Sequence, residues 1–262
     1  MRFVKAHALG NDFLLVESAD APAVSERPAL TRRLCDRQQG IGADGVIFFT
    51  PAADGAVMQL LNADGSPSEV SGNGVRCLAS WLARGRNAGV GASLAIRTDA
   101  GVKTLRLEAV DGARLTFRAA MGTPEQLQQR PLDVDGAAVD VITLRVGNPQ
   151  CVVLGEVSEA RLRTLASRLA IHPAFPEGTN VELATVDAPD RVRILIWERG
   201  VGPTQASGTG ACASAVAAIR YGGASPDVQV VSPGGTQRVE WSDDGLFLTG
   251  WAEVICDGRW LL

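Results

Sequence analysis

The sequence has 262 residues, a net charge of −4 and 46% hydrophobic residues, a composition typical of a globular protein. It has no basic excess that would attract nucleic acid, and no stretch approaches the roughly 18 apolar residues of a membrane span. The five cysteines are widely spaced and the two histidines lie far apart, which argues against a disulfide framework and a zinc site. The first ten residues lack the apolar run of a signal peptide, so we expect the protein in the cytoplasm.

Strand patterns dominate the chain. Several short runs are apolar or alternate apolar and polar side chains, as half-buried antiparallel strands do. The predicted strands are Phe13–Glu17, Val46–Thr50, Val57–Leu61, Lys103–Ala109, Val139–Val146, Cys151–Leu154, Arg191–Glu198 and Val228–Ser232. The stretch Thr123–Asp135, with its prolines and glutamines, is predicted to be a connector.

Helical patterns are fewer. The predicted helices run from Ser25 towards Arg37, over Val75–Ala83, over Glu159–Ala170 after a capping Ser158, and over Ala211–Tyr221. Serine is a typical N-cap for the first and third of these helices. The second and fourth helices are apolar on nearly every face, which is typical of buried helices. Many strands and few helices, not in strict alternation, predict an α+β fold.

The two buried helices begin with the same motif, Ser71-Gly72-Asn73-Gly74 in the first and Ser207-Gly208-Thr209-Gly210 in the second. The two serines lie 136 residues apart (207 − 71). Three further pairs repeat in the same order at nearly the same offset: Asn11 with Asn148, Asp44 with Asn180, and Asn62 with Glu198. One such match would be weak, but four together predict a duplicated domain.

The duplication predicts two pseudo-symmetric halves, residues 1–120 and residues 121–250, with residues 251–262 returning as a strand to the first. Each half should wrap a mixed sheet or barrel around one buried helix. The glycines behind each serine leave backbone N–H groups available at a helix N-terminus, where anions bind. Two such ends facing one cleft would hold a carboxylate between Ser71 and Ser207. That geometry suits two-base proton transfer, in which one group removes the Cα proton and the other returns one to the opposite face.

These motifs resemble those of the diaminopimelate epimerase family along almost the whole chain. The similar stretches are HALGNDF at 7–13, GIGADG at 40–45, NADGS at 62–66, SGNGVRC at 71–77, GNP at 147–149, GTN at 178–180, ERG at 198–200, SGTGAC at 207–212 and SPGG at 232–235. The resemblance implies two pseudo-symmetric domains with the active site in the cleft between them. It also implies no metal, no pyridoxal phosphate and a homodimer.

The resemblance implies a function and a set of site residues. The function is interconversion of LL- and meso-diaminopimelate by proton transfer at Cα, in lysine biosynthesis. The implied binding groups are the backbone N–H groups of Gly72, Asn73, Gly208 and Thr209 for the reacting carboxylate, Glu198 for the reacting ammonium, and Asn11, Asn62, Asn148, Asn180 and Arg199 for the distal end, with Asp44 as a further binding residue. Neither a nucleic acid nor a membrane is expected as a partner.

The sequence departs from the family at the positions that matter most for chemistry. Ser71 and Ser207 occupy the places of the two catalytic cysteines. Gln150 stands where the family has a histidine, in a supporting role, and Pro203 stands where it has a glutamate. A serine hydroxyl is far less acidic than a thiol and normally needs an adjacent general base. The resemblance therefore implies an epimerase that is impaired with these serines.

Three functions stay open on the sequence alone. The first is an epimerase of the diaminopimelate class, and the second is a binding protein that closes on an amino acid without chemistry. The third is a divergent isomerase or dehydratase that acts on another amino acid through a single proton transfer. The retained asparagine set and Arg199 favour a substrate with a second amino-acid head, whereas Gln150 and Pro203 count against it.

Overall fold

The computed structural model describes residues 1–261 and divides into two compact units. The first unit comprises residues 1–119 together with the C-terminal segment from Gly250, and the second comprises residues 120–249. Strands predominate in both units, and within residues 1–261 they are accompanied by four helices, the third of which contains a π-helical segment. The prediction of an α+β fold is confirmed. Within residues 1–261, no helix is long and apolar enough to cross a membrane.

The elements follow one another along the chain as a series of short strands interrupted by four helical segments. They are β1 (Arg2–Ala8), β2 (Asn11–Glu17), α1 (Arg27–Cys35), β3 (Gly45–Ala52), β4 (Gly55–Asn62), β5 (Pro67–Ser68), α2 (Gly72–Gly85), β6 (Ser93–Thr98), β7 (Gly101–Asp111), β8 (Arg114–Gly122), β9 (Glu125–Val134), β10 (Ala137–Val146), β11 (Asn148–Leu154), α3 (159–169), β12 (Asn180–Ala188), β13 (Arg191–Glu198), β14 (Gly202–Thr204), α4 (Gly208–Tyr221), β15 (Asp227–Ser232), β16 (Gly235–Ser242) and β17 (Gly245–Arg259).

The first unit wraps its strands around α2. Strands β1 and β2 are antiparallel, β2 and β3 parallel, β3 and β4 antiparallel, β4 and β6 parallel, and β6 and β7 antiparallel. The C-terminal β17 pairs with β1. Helix α2 contacts five of these strands and is buried along most of its length because Val75, Leu78 and Leu82 project into the core between them.

The second unit repeats this order of pairings around α4. Strands β10 and β11 are antiparallel, β11 and β12 parallel, β12 and β13 antiparallel, β13 and β15 parallel, and β15 and β16 antiparallel. Helix α4 is rich in alanine, and its small side chains allow the surrounding strands to pack close to it. The matching order of parallel and antiparallel pairs confirms the predicted pseudo-symmetry.

Two predictions about individual elements are wrong. Most of Thr123–Asp135 is not a connector but the strand β9, antiparallel to β10. Only Leu132 and Val134 of this strand are buried, so its exposed glutamines hid the alternation that marks a strand. Ser25 does not cap α1, because it lies in a 3₁₀ turn and the helix begins at Arg27 with no side-chain cap.

Candidate functional site

The N-terminus of α2 forms the first half of the candidate site. Ser71 has an extended backbone, and its Oγ accepts a hydrogen bond from the backbone N–H of Gly74 at 3.1 Å. A Cβ at position 74 would lie 3.0 Å from Ile47 and 3.3 Å from the Cβ of Ser71, so a larger residue there would force these neighbours to shift slightly. Ser71 is therefore a helix N-cap that is partly accessible at the start of a buried helix.

The N-terminus of α4 repeats this arrangement in the second unit. The Oγ of Ser207 accepts from the backbone N–H of Gly210 at 3.2 Å and lies 3.5 Å from the hydroxyl oxygen of Thr209. Ser207 is buried, with an exposed fraction of 7%. Both serines of the repeated motif thus hold the same position on their helices, as the internal repeat predicted.

A chain of amide and carboxylate groups joins three predicted site residues of the first unit. Asn11 donates from Nδ2 to the carboxylate of Asp44 at 2.7 Å, and its Oδ1 accepts from the Nδ2 of Asn73 at 3.1 Å. Arg76 in turn donates to the Oδ1 of Asn73. Because Asn73 belongs to the first turn of α2, this chain connects Asn11 and Asp44 to the helix N-terminus.

An ion cluster adjoins this chain of groups at Asp44, and the sequence did not indicate it. Arg37 bridges Asp12 and Asp44 with Nη2–oxygen distances of 2.8 Å to each, and Lys5 lies 3.1 Å from Asp12. Burial raises the pKa of Asp12, but hydrogen bonds from Arg37 and Lys5 outweigh that effect and hold this pKa below its ordinary value. Asp12 therefore stays ionised, and its ion pairs hold the start of β2, which carries Asn11.

Asn62 lies at the end of β4 and is engaged in the turn that follows. Its Nδ2 donates to the hydroxyl of Ser66 at 3.1 Å, and its backbone N–H donates to the carbonyl of the same residue at 2.9 Å. Asn62 thus stabilises the turn over residues 62–66. The structure gives Asn62 this local role, and its contact with a substrate stays a prediction.

The second unit brings its own predicted residues together at the ends of β11, β12 and β13. Gln150 donates to the Oδ1 of Asn148 at 2.6 Å, and the parallel register sets Gln150 beside Asn180. The Oδ1 of Asn180 accepts from the backbone N–H of Arg199 at 2.9 Å. Arg199 is exposed, follows Glu198 at the end of β13, and donates to the carbonyl of Glu177 at 3.0 Å. Contacts thus connect Asn148 with Gln150, Gln150 with Asn180, and Asn180 with Arg199.

Glu182 is the site-adjacent residue that the sequence analysis missed. It is completely buried beneath the first turn of α4, where a Cβ at Gly210 would lie 2.6 Å from its Oε1. Burial raises the pKa of Glu182 well above its ordinary value, and the nearby charge of Glu198 raises it further. The alternation along β12 was the available signal, since Glu182 shares a strand face with Asn180.

The cysteines that follow the two serines lie in the core. Cys77 and Cys212 are completely buried among the apolar residues of α2 and α4. Burial raises the pKa of Cys77 to about 12, so its thiol stays protonated at neutral pH. Within residues 1–261, no group of three or more His, Cys, Asp or Glu side chains is placed to hold a metal ion.

The sequence matches one family model over most of its length. Residues 3–127 and 142–255 match the family described as diaminopimelate epimerase. A diaminopimelate epimerase of Desulforudis audaxviator (strain MP104C) is 40% identical, with 100% of this chain and 99% of the relative aligned. The diaminopimelate epimerase of Microcystis aeruginosa (strain NIES-843) is 39% identical, with 98% and 97% aligned.

Solved structures share the fold at low sequence identity. A predicted epimerase from Pseudomonas aeruginosa has a TM-score of 0.76 and 16% identity, covering 100% of this chain and 99% of the other. A hydroxyproline epimerase from Agrobacterium vitis has a TM-score of 0.74 and 15% identity, covering 98% and 91%. These likenesses concern the fold alone. The family match and the two full-length relatives decide the assignment: this chain belongs to the diaminopimelate epimerase family.

Proposed function

We propose that this protein is an amino-acid epimerase that acts at the Cα of diaminopimelate, interconverting its LL and meso forms in lysine biosynthesis. The observation that carries the proposal is the pair of serine-capped helix N-termini, one in each unit of a diaminopimelate epimerase-family chain. Each provides backbone N–H groups and the positive end of a helix dipole, which together favour a carboxylate.

In the proposed complex, the two half-sites approach one amino acid from opposite sides. The backbone N–H groups of Gly72, Asn73, Gly208 and Thr209 hold the reacting carboxylate, and Glu198 holds the reacting ammonium. The distal amino-acid end is held by Asn11, Asn62, Asn148, Asn180 and Arg199, with Asp44 holding Asn11 in place. The protein works as a cytoplasmic homodimer.

Ser71 and Ser207 are proposed to flank the Cα atom on its two faces. Inversion requires one flanking group to accept the Cα proton while the other donates a proton to the opposite face. Each hydroxyl accepts a hydrogen bond from a backbone N–H of its own helix. This bond fixes the position of the oxygen at the helix N-terminus but does not make the oxygen basic. We therefore expect binding to be retained and epimerisation to be very slow.

A non-catalytic amino-acid-binding protein is the second candidate function. The hydroxyls favour it, because both act as ordinary N-caps and neither helix start requires a thiol for its geometry. Under this alternative the protein closes on its ligand and leaves the Cα proton in place.

Calorimetry and proton exchange together test the proposal. LL-diaminopimelate should bind with a stoichiometry of one per chain, and proton NMR in heavy water should show slow loss of the α-proton signal with formation of the meso isomer. Binding with no exchange over days would support the second candidate. Absence of binding would refute both candidates and direct attention to other amino acids.

A further inference from the structure

The second unit contains a cavity lined by residues of β9, β10 and β11 and by residues 174–178. Its volume is about 340 Å³, within the range typical of small-molecule sites. Along β10, Ile142 and Leu144 pack in the same cluster as α4, whereas Val141 packs with α3. Thr143 alternates with Ile142 and Leu144, so it lies on the α3 side, where it lines the cavity.

Two arginines line this cavity without an acidic partner. Among the described residues, neither Arg130 nor Arg145 forms an ion pair with a carboxylate, which leaves two positive charges at the cavity wall. The guanidinium of Arg130 lies 5.8 Å from the centre of the Phe175 ring. Glu177 is the one acidic residue in the lining, and it is exposed. The wall therefore has an excess of positive charge.

Two polar atoms of the lining are buried and lack a hydrogen-bond partner among residues 1–261. They are the Nε of Arg130 and the Oγ1 of Thr143, a residue with an exposed fraction of only 7%. A buried donor left without a partner costs roughly 1–3 kcal/mol, so such groups are rare and usually have a ligand or water as partner. Both atoms can donate to a single oxygen-rich group, and the two guanidinium groups favour a negative charge on it.

We propose that this cavity is a binding site for a small anion that carries a carboxylate or phosphate group. The donors are Arg130, Arg145 and Thr143, which receive the anionic oxygens. The ring of Phe175 and the neighbouring Pro149 form an apolar wall for any hydrocarbon part of the ligand. The cavity adjoins the proposed amino-acid site, because Gln150 is in its lining and also contacts Asn148. The three donors are not among the residues of that site, and the proposal does not depend on it.

Calorimetric titration of the full chain with inorganic phosphate, and separately with succinate, tests this site. At least one probe should bind saturably at one equivalent per chain. Binding of phosphate would indicate a phosphate site, and binding of succinate would indicate a carboxylate site. Thr143→Val preserves the shape of the side chain and removes the hydroxyl, so the fold should be retained while affinity falls about tenfold or more. Arg130→Gln should weaken binding further, because it removes a charged donor.

Arg220→Gln is the matched control, since Arg220 is an exposed arginine of the same unit at the end of α4. It removes the same charge and should leave the affinity unchanged. Equal weakening in this control would show that the probes respond to net charge alone and would overturn the proposal. The absence of saturable binding at millimolar concentrations would overturn it as well. One-for-one displacement of the probe by diaminopimelate would assign the probe to the amino-acid site and remove the separate site.

Discussion

The hydroxyls of Ser71 and Ser207 are expected to limit the rate of epimerisation. We expect the double change Ser71→Cys with Ser207→Cys to raise the epimerisation rate by orders of magnitude, because a thiol with a pKa of about 8.5 becomes basic far more readily than a hydroxyl. Each single change should restore less, since inversion needs an acceptor and a donor on opposite faces. The measurement is turnover of LL-diaminopimelate with deuterium uptake at Cα.

Ser158→Cys provides the control for these substitutions. Ser158 also caps a helix, with its hydroxyl accepting from the backbone N–H of Arg161 at 3.3 Å, but it belongs to α3 and not to the repeated motif. It should leave turnover unchanged. A double-cysteine protein that folds, binds and stays inert would contradict the proposed roles of the two positions. Rapid turnover by the serine protein itself would show that another group activates the hydroxyls.

Glu182 makes stability depend on pH in a definite direction. Since burial raises its pKa well above 4.5, the folded protein keeps a proton that the unfolded chain releases above pH 4.5. The free energy of unfolding should therefore fall as the pH rises from there to the folded pKa, by up to about 1.4 kcal/mol per pH unit. Glu182→Gln keeps a neutral side chain of similar shape and should remove this fall.

Urea denaturation at about pH 5, 6 and 7 measures that contribution. The control is Glu156→Gln, which changes an exposed glutamate of the same unit and should keep the pH dependence of the unaltered protein. A slope that persists in Glu182→Gln would assign the effect to other groups.

The role of a single residue could be predicted from the sequence where that role depends on its neighbours along the chain. The N-cap roles of Ser71 and Ser207 follow from the glycines behind them, and both were visible in the repeat. Glu182 and the Asp12–Arg37 ion pair were missed because their properties come from burial and from partners distant in sequence. Desolvation depends on how the folded chain packs, so the sequence alone does not reveal it.

At the scale of elements, glycine at the start of α4 is a requirement of packing. Gly210→Ala would place a methyl group 2.6 Å from the Oε1 of Glu182, so this completely buried side chain would have to shift. Such overpacking costs typically about 1–3 kcal/mol, and we expect a loss of that size in the free energy of unfolding. Gly85→Ala, at the last residue of α2, is the matched control because its Cβ would meet nothing within 4 Å. It should stabilise by about 0.4–1 kcal/mol.

Equal effects of these two substitutions in urea denaturation would contradict the packing argument.

The contrast between buried and exposed positions also explains which elements could be predicted from the sequence. The buried helices and central strands were found because their apolar patterns are strong, while β9 was missed since it exposes most of its side chains. The start of α1 was misplaced by one residue, because Ser25 was predicted as the N-cap and Glu26 occupies that position.

At the scale of the whole molecule, the duplication divides the proposed site between two units that each have their own core. The sequence could predict this because a repeat of 136 residues is visible without structure, whereas the contacts between amides within each half-site depend on strand register. A ligand that needs both half-sites should stabilise the two units together, even though each has a separate core.

Diaminopimelate at about 100 times its dissociation constant should add about 2.7 kcal/mol to the free energy of unfolding. Asn11→Ala in the first unit and Glu198→Gln in the second should each remove most of this ligand-induced gain, because their side chains are proposed to hold the substrate. Asn11 also contacts Asp44 and Asn73, so its loss weakens the protein without ligand as well, and the quantity compared is the gain and not the absolute stability. Arg220→Gln should keep the full gain. If the gain survives a change in either half-site, the ligand is held by one unit alone, and a two-base site shared by both units is refuted.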